Sequence, residues 1–288
     1  MLRWAFALAT WLPDTASTLR VAAHMQDRLS LGADDALMRA RKHAAMFRVC
    51  RLLPHLYASM PDDAVQQIVA RYQFDIRGAQ SGSAPSCGEL VAFMHTWDYW
   101  YGVMALMIRA GRARAGCVVR LQRDANDLAV AQRMERAGFS LIFVDGNSHS
   151  ALRQVVRTLR GGGIVFLFSD FYPHSDRAIS VHWFGQCGRL PSGLIDIAAL
   201  ANVPVSIAET HIDDVYREWI QLTPAFSDVP QPSQLAMQQL ATMFEQRIRT
   251  SPEQWRCWEH FETYFYRPAS QIQREVVRLM RKRSEERA

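Results

Sequence analysis

His95 follows an apolar run, Glu89–Met94 (ELVAFM), and precedes a helical pattern that starts near Asp98. In an open α/β sheet, ligands bind at the carboxyl ends of the strands, so this histidine stands where a substrate would bind. A neutral imidazole there can take a proton from an attacking hydroxyl or amine. We therefore predict that His95 is a general base. The alternative is a structural histidine whose ring is satisfied by its neighbours.

A histidine base needs an orienting acid on its other ring nitrogen, and Asp98 stands three residues further on. If the helix has already begun, positions i and i+3 share a face, which would bring the two side chains together. The alternative for Asp98 is a helix N-cap, whose carboxylate accepts hydrogen bonds from backbone N–H groups. The spacing leaves both roles open.

Other side chains that could contact a substrate stand at strand ends. Asp170 ends the apolar strand Ile164–Phe168 and is predicted either to face the same crevice as His95 or to be a turn residue before Pro173. Arg120 follows another strand candidate. Its planar guanidinium could bind an anionic group, and the alternative is a surface position on the strand.

A glycine-containing segment, 182–193 (HWFGQCGRLPSG), leads into a predicted helix. Glycine permits close approach of the backbone to a ligand, and a helix N-terminus attracts anions. Gly185 and Gly193 are therefore predicted to contact substrate. The signal is weak by itself because the segment lacks the GxGxxG and GxxxxGK[ST] spacings of nucleotide sites.

The elements that must position these residues alternate between strand and helix. Two N-terminal helices are predicted, with Pro54 and Pro61 as stops, and a loop at 78–88 follows them. Seven strands are predicted: 89–94, 117–121, 140–144, 164–168, 181–184, 203–208 and 219–222. The strand 181–184 is predicted to lie beside 164–168, and 219–222 at an edge of the sheet. Helices are predicted at 36–52, 62–72 and 98–109, then from the end of the strand at 117–121 to residue 136, from 148 or 150 to 160, and at 192–201, 232–249, 252–263 and 272–283. The alternation predicts an α/β fold with a mainly parallel sheet flanked by helices.

We predict one domain for the 288 residues, with a helical lead at 1–77, an α/β core at 85–265 and a basic helix at 266–288. The apolar stretch 4–12 (WAFALATWL) is too short to span a membrane. It is interpreted either as an interfacial anchor or as a first helix packed on the core. A cytoplasmic location is predicted, with peripheral attachment to the inner membrane as an option.

The charge of the chain indicates an anionic partner. Its 33 Lys and Arg residues include two lysines, Lys42 and Lys282, so 31 are arginines, and the net charge is +5. Such a balance suits phospholipid, an acidic carrier protein, a phosphorylated ligand or nucleic acid. Nucleic acid is disfavoured because no basic and aromatic RNA-binding signature is present. The five cysteines are widely spaced without a CxxC, so neither a metal site nor a disulfide framework is predicted.

Taken in order, these segments resemble the bacterial lipid A late (lauroyl or myristoyl) acyltransferase family of the lysophospholipid acyltransferase-like superfamily. ELVAFMHTWDYW is similar to that family's strand and His-x4-acid box, and VVRLQRDAND to its next strand, with an arginine at Arg120. RMERAGFSLIFVD and ALRQVVRTLRGGGIVFLFSD resemble the following two units, ending at Asp170. The segment from 182 resembles the family's Phe-Gly segment, and SPEQWRCWEHF its C-terminal Pro-Glu-Gln-Trp signature. The resemblance covers roughly residues 85–265.

The chain departs from the family at two points. The family's acid stands five residues after the histidine, where this chain has Trp100, and an indole cannot accept a proton or hold a negative charge. We expect Asp98 to do the acid's work; otherwise His95 acts unassisted or the site is not catalytic. The family's long N-terminal membrane helix is reduced here to the stretch 4–12.

The resemblance implies acyl transfer from an acyl carrier protein or coenzyme A thioester to a hydroxyl or amine. The acceptor would be a lipid A-like or glycolipid sugar, another lipid or a secondary metabolite. No cofactor beyond the thioester co-substrate is implied, and Arg120 with backbone N–H groups would bind the oxyanion or a phosphate. The absence of GxSxG agrees with direct transfer, without a covalent acyl-enzyme.

The alternative function is a non-catalytic lipid- or carrier-protein-binding protein, which Trp100 favours. A carboxylate within hydrogen-bond reach of His95 would argue against it. The basic segment 271–287, with net charge +3 from six cations and three anions, suits an acidic carrier protein or anionic headgroups. A solvated terminal helix is the alternative for that segment.

Overall fold

The computed structural model describes residues 13–70, 72–76, 88–111, 115–119, 125–136, 138–144, 149–171, 178–215, 217–229 and 231–265. The stretch 4–12, Arg120 and the predicted basic helix 266–288 lie outside these residues. Eight α-helices are described: α1 (Ala16–Leu29), α2 (Ala33–Ser59), α3 (Asp62–Val69), α4 (Tyr99–Ala110), α5 (Ala125–Arg136), α6 (His149–Arg160), α7 (Gly193–Ala201) and α8 (Ser233–Thr250). Two 3₁₀ segments follow, Pro252–Gln254 and Arg256–Tyr264.

The strands form one large sheet and one hairpin. They are β1 (Gln73–Ile76), β2 (Glu89–Phe93), β3 (Ala115–Val119), β4 (Ser140–Phe143), β5 (Ile164–Phe168), β6 (Ala178–Trp183), β7 (Gln186–Pro191), β8 (Val205–Ile212) and β9 (Glu218–Phe226). The sheet has the order β1-β9-β8-β2-β5-β3-β4. Strands β8 and β9 pair antiparallel and the other neighbours pair parallel, so the predicted α/β class with a mainly parallel sheet is confirmed.

Both faces of the sheet are buried, as is typical when helices connect parallel strands. On β2, Leu90 and Ala92 belong to a core shared with α1, α7 and α8, whereas Val91 and Phe93 belong to a core shared with α2 and α4. Helix α4 packs directly on the sheet, because a Cβ at Gly102 would collide with the side chains of Thr210 and Phe93. This close packing lies at the strand ends, next to His95.

Several predicted elements are corrected. Helix α2 continues through Pro54 to Ser59, since burial of the helix face with Val49 and Leu53 outweighs the local cost of proline. Strand β1 is four residues long and has too weak a pattern to be predicted. It pairs with β9, so the strand predicted at 219–222 is not at the edge of the sheet.

The strand predicted at 181–184 does not lie beside β5. It belongs to β6, which pairs antiparallel with β7 in a separate hairpin. The Gln238 side chain on α8 bonds the N–H and C=O of His182, at 2.7 and 2.9 Å, and so satisfies the edge of β6 in place of a neighbouring strand. The α-helix predicted at 252–263 is instead 3₁₀, interrupted at Trp255.

None of the helices in the described part of the chain has the length and apolar character needed to cross a bilayer.

Candidate active site

The register of two neighbouring parallel strands brings His95 and Asp170 together. In the β2–β5 ladder, Phe93 stands opposite Phe168. Continuing this register by two residues places His95 opposite Asp170, just beyond the strand ends. That edge of a parallel sheet is where ligands bind in open α/β folds.

The contact between the two residues is a short hydrogen bond. Nδ1 of His95 lies 2.7 Å from Oδ1 of Asp170, and the backbone N–H of His95 donates to Oδ2 at 2.8 Å. The Asp170 side chain is fully buried, and that of His95 is 16% exposed. No described residue hydrogen-bonds the other ring nitrogen of His95, Nε2. The pair therefore has the arrangement of a base whose second nitrogen is oriented by an acid.

The hydrogen bonds to Asp170 indicate which nitrogen of His95 carries its proton. Oδ2 accepts from two N–H donors, the His95 backbone and Nε1 of Trp255 at 2.9 Å. An oxygen between two donors is an acceptor, as expected for an ionised carboxylate. Oδ1 then accepts a hydrogen bond from Nδ1–H, and the neutral imidazole has its lone pair at Nε2.

Aromatic rings enclose the imidazole. The ring centroid of His95 lies 4.5 Å from that of Phe168, 5.2 Å from that of Tyr99 and 5.6 Å from that of Phe171. The turn that leads from β2 into α4 is tight, and Trp97 adopts a positive φ of 22° there. These packed rings restrict the orientation of the imidazole.

Nδ1 of His95, which was predicted to face Asp98, lies against Asp170 in the structure. An orienting role for Asp98 stays a prediction. Asp98 occupies the N-cap position of α4 but forms no side-chain capping bond there. Its charge acts on the α2–α4 side of the sheet: burial first, and then Asp98, raise the pKa of the Tyr101 phenol well above its ordinary value.

Trp100, which the resemblance aligns with the family's acid, is buried on α4. Its ring centroid lies 6.5 Å from that of Phe168, and its Nε1 has no hydrogen-bond partner among the described residues. Trp100 thus helps to pack the aromatic surroundings of His95, while the carboxylate comes from another strand.

The remaining predicted site residues are less directly tied to this pair. Gly185 is exposed in the β6–β7 turn, where Phe184 and Gly185 have φ of 49° and 76°. Consecutive positive φ values are those of a tight hairpin turn, which explains the glycine without a ligand. Gly193 is the first residue of α7 and is exposed. A substrate contact by either glycine, or by Arg120, stays a prediction.

Sequence reasoning missed the part played by the 3₁₀ segments. Besides the bond from Trp255, the hydroxyl of Tyr264 donates to the carbonyl of Asp170 at 2.6 Å, and the N–H of Arg256 donates to the carbonyl of His95 at 2.8 Å. The guanidinium of Arg256 lies 4.9 Å from the ring centroid of Tyr99. The Pro-Glu-Gln-Trp signature marks this segment in the sequence but does not say what it touches.

A metal is poorly suited to this cluster. His95, Asp170 and Cys257 each offer a ligand atom within 4.8 Å of the others. However, the 2.7 Å between Nδ1 and Oδ1 is a hydrogen-bond distance, and Oδ2 already accepts two N–H groups. Burial, and then the charge of Asp170, raise the pKa of the Cys257 thiol well above its ordinary value, which favours the neutral thiol over the thiolate that metals bind.

The chain matches one known protein family. A family model described as bacterial lipid A biosynthesis acyltransferase matches residues 81–260, more than half of the chain. Comparison with curated proteins finds no match. The matched stretch contains β2, β5, His95, Asp170 and Trp255, and its extent shows that the chain belongs to the bacterial lipid A biosynthesis acyltransferase family.

Proposed function

We propose that this protein transfers an acyl chain from a carrier-protein or coenzyme A thioester to a hydroxyl or amine of a lipid-like acceptor. In this proposal His95 is the general base and Asp170 is the acid that orients it. The observation that carries the proposal is the 2.7 Å hydrogen bond between Nδ1 of His95 and Asp170 at the carboxyl ends of β2 and β5. Family membership supports the reaction class.

The proposed reaction needs one proton transfer in each direction. Nε2 of His95 takes the proton of the acceptor hydroxyl as the hydroxyl oxygen attacks the thioester carbonyl carbon. The resulting imidazolium is stabilised by Asp170, as in other histidine–carboxylate pairs. When the C–S bond breaks, the imidazolium returns the proton to the leaving thiolate, so the products are an acyl ester and a free thiol.

Arg256 is our candidate for binding an anionic group of the donor or the acceptor. Its guanidinium is half-buried between the rings of Tyr99 and Phe47, at 4.9 and 5.1 Å from their centroids. Because the Tyr99 ring meets the edge of His95, a phosphate held by Arg256 would lie beside the base. A planar guanidinium is well suited to bidentate phosphate contacts. Arg120 remains a second candidate for this role.

For the acceptor, we propose a lipid A-like sugar or another amphipathic hydroxyl or amine compound, a secondary metabolite included. We further propose a cytoplasmic location with peripheral attachment to the inner membrane. On α2, Leu52 and Leu56 are 58% and 39% exposed next to the exposed Arg51, a combination that suits an anionic lipid surface.

The second candidate function is binding of a lipid or carrier protein without catalysis. Trp100 at the position of the family's acid favours it. The contact of a buried carboxylate with His95 favours the enzyme, because a binding protein has no need of a base whose ring is oriented by an acid.

The deciding experiment incubates the full chain with acyl carrier protein or acyl-coenzyme A and a glycolipid acceptor. Free thiol release and the mass of the acylated acceptor are measured together. We expect product with one donor at least, and a loss of about 10⁴-fold in His95→Ala, the upper range of general base catalysis. Donor binding without any acceptor acylation in the wild type would support the binding protein instead.

A further inference from the structure

The two 3₁₀ segments after α8 form one wall of the candidate site. Trp255, between them, forms an antiparallel bridge with Thr96, and the N–H of Trp97 donates to the carbonyl of Gln254 at 3.1 Å. The amide of Gln254 bonds both the N–H and the carbonyl of Ile212, at the end of β8, at 2.9 Å each. The position of Trp255 is thus set by backbone contacts to β8 and to the turn that carries His95.

The indole of Trp255 is fully buried and packs against other aromatic rings. Its centroid lies 5.1 Å from that of Trp258, 5.7 Å from that of Trp183 and 5.9 Å from that of Tyr264. From this packing its Nε1 donates to Oδ2 of Asp170 at 2.9 Å. A buried N–H to a carboxylate is a charge-assisted bond, about twice as strong as a neutral one.

We propose that Trp255 is a positioning residue of the acyltransferase site, which fixes the carboxylate of Asp170 and limits how strongly that carboxylate holds a proton on His95. The proposal deepens the proposed function and rests on it. Trp255 does not need to touch substrate for this role, because it acts through Asp170.

The effect of Trp255 on His95 has a definite sign. The indole N–H neutralises part of the carboxylate charge, so removing it leaves Asp170 better able to stabilise the imidazolium. In the variant, the imidazolium of His95 would then give up its proton only at a higher pH. Among the described residues, the other titratable or charged groups at the pair are Cys257, Tyr264, Tyr99 and Arg256. Cys257 is kept neutral by burial, and the guanidinium of Arg256 lies 4.9 Å from the ring centroid of Tyr99.

The test compares Trp255→Phe with Trp258→Phe in the full chain. Trp258 is an equally buried indole of the same segment, but its Nε1 donates to the carbonyl of Pro252, at 2.7 Å, and not to Asp170. We expect Trp255→Phe to lower kcat by roughly tenfold, because an Asp170 carboxylate that is no longer held in place orients His95 less well; the factor is that of one hydrogen bond to a charged group. We also expect the acid limb of the pH–rate profile to move to higher pH, and Trp258→Phe to leave that limb unchanged.

A second readout does not depend on activity. The midpoint at which the His95 ring titrates is followed by NMR of the imidazole, and it should rise in Trp255→Phe and not in Trp258→Phe. If the wild type shows no acyl transfer but this midpoint still moves, the proposed function fails while the positioning role stands. If Trp255→Phe moves neither the limb nor the midpoint, Trp255 is a packing residue and the inference is overturned.

Should Trp255→Phe fail to fold, β-(3-benzothienyl)alanine at position 255 keeps the bicyclic shape and lacks the N–H donor. The same shift in midpoint is then expected, and its absence in that folded variant would overturn the inference equally.

Discussion

Two histidine–carboxylate pairs lie at neighbouring strands of the sheet, and they differ in the hydrogen bonds of the histidine and in how the carboxylate charge is balanced. His95 follows β2 and forms a 2.7 Å hydrogen bond with Asp170. His211 lies near the end of β8 and stands 3.4 Å from Glu209, with both ring nitrogens buried and without a hydrogen bond to a described residue. The second ring stacks on Trp219, with centroids 5.1 Å apart.

The negative charges of the two carboxylates are compensated by different groups. Glu209 forms an ion pair with Arg247, at 2.8 Å, so its charge is already matched by a permanent cation. Among the described residues, Asp170 has no Lys or Arg at ion-pair distance and is held by neutral N–H groups instead. Its charge therefore remains available to stabilise an imidazolium. The comparison teaches that a histidine next to an acid is a candidate base only when the acid's charge is uncommitted and one ring nitrogen is accessible.

Among the variants that test this comparison, Asp170→Asn is expected to change kcat most. An asparagine whose oxygen keeps the bonds to Trp255 and the His95 backbone must turn its NH₂ group toward Nδ1. That ring nitrogen would have to accept, so Nε2 would carry the proton and could not act as a base. We expect kcat to fall about 10³-fold in the acyl-transfer assay. The matched variant Asp98→Asn should change kcat by less than about threefold on the same grounds.

A larger loss in Asp98→Asn than in Asp170→Asn would break the comparison, because the acid of the site would then be the one nearer in sequence.

Disrupting the Glu209–His211 pair should lower the free energy of unfolding and leave kcat unchanged. Glu209→Gln leaves the largely buried guanidinium of Arg247 without its counter-charge, and breaking such a pair costs about 3 kcal/mol. We expect urea denaturation to show this loss, with kcat unchanged for the folded fraction. A fall in kcat at full folding would mean that the Glu209 pair contributes to the reaction.

Arg256→Gln tests whether a cation beside the first pair serves binding. Because the guanidinium lies against the rings of Tyr99 and Phe47, we expect it to act on binding, so that KM for the phosphate-bearing partner rises about tenfold, as for one charge-assisted bond, with kcat little changed. Arg249→Gln is the matched control, since its guanidinium lies over Phe184, away from His95. Equal KM values for both variants would remove Arg256 from the binding role.

The smallest effect concerns a third histidine, His43 on α2, which is buried and bonds the carbonyl of Glu253 through Nδ1 at 3.0 Å. Burial lowers the pKa of His43 below its ordinary value of 6.5. The unfolded chain therefore takes up a proton near pH 6.5 that the folded chain refuses, so stability falls as pH drops below that value. We expect the melting temperature to fall less between pH 7 and pH 5 in His43→Gln than in the wild type. An unchanged pH dependence would assign the effect to other groups, of which His24, also lowered chiefly by burial, is the next.

The sequence predicted the strands and their common edge well, because apolar runs followed by helical patterns are strong local signals. It placed His95 and Asp170 at that edge but paired His95 with Asp98, since spacing along the chain is visible and strand order is not. The choice of Asp170 depends on β5 lying beside β2, although β3 and β4 intervene in sequence. The role of Trp255 could not be predicted, because no local sequence pattern indicates a contact between residue 255 and residue 170.

Trp255 is synthesised after both residues of the pair that it supports, His95 and Asp170. Residues 95 and 170 emerge from the ribosome well before the Pro252–Tyr264 segment, whose indole and phenol bond the Asp170 carboxylate and carbonyl. Until that segment folds back on the sheet, the Asp170 carboxylate lacks the Trp255 donor and the Asp170 carbonyl lacks the Tyr264 donor. A nascent chain that has not yet reached residue 255 would therefore carry His95 and Asp170 without the indole N–H that holds the Asp170 carboxylate.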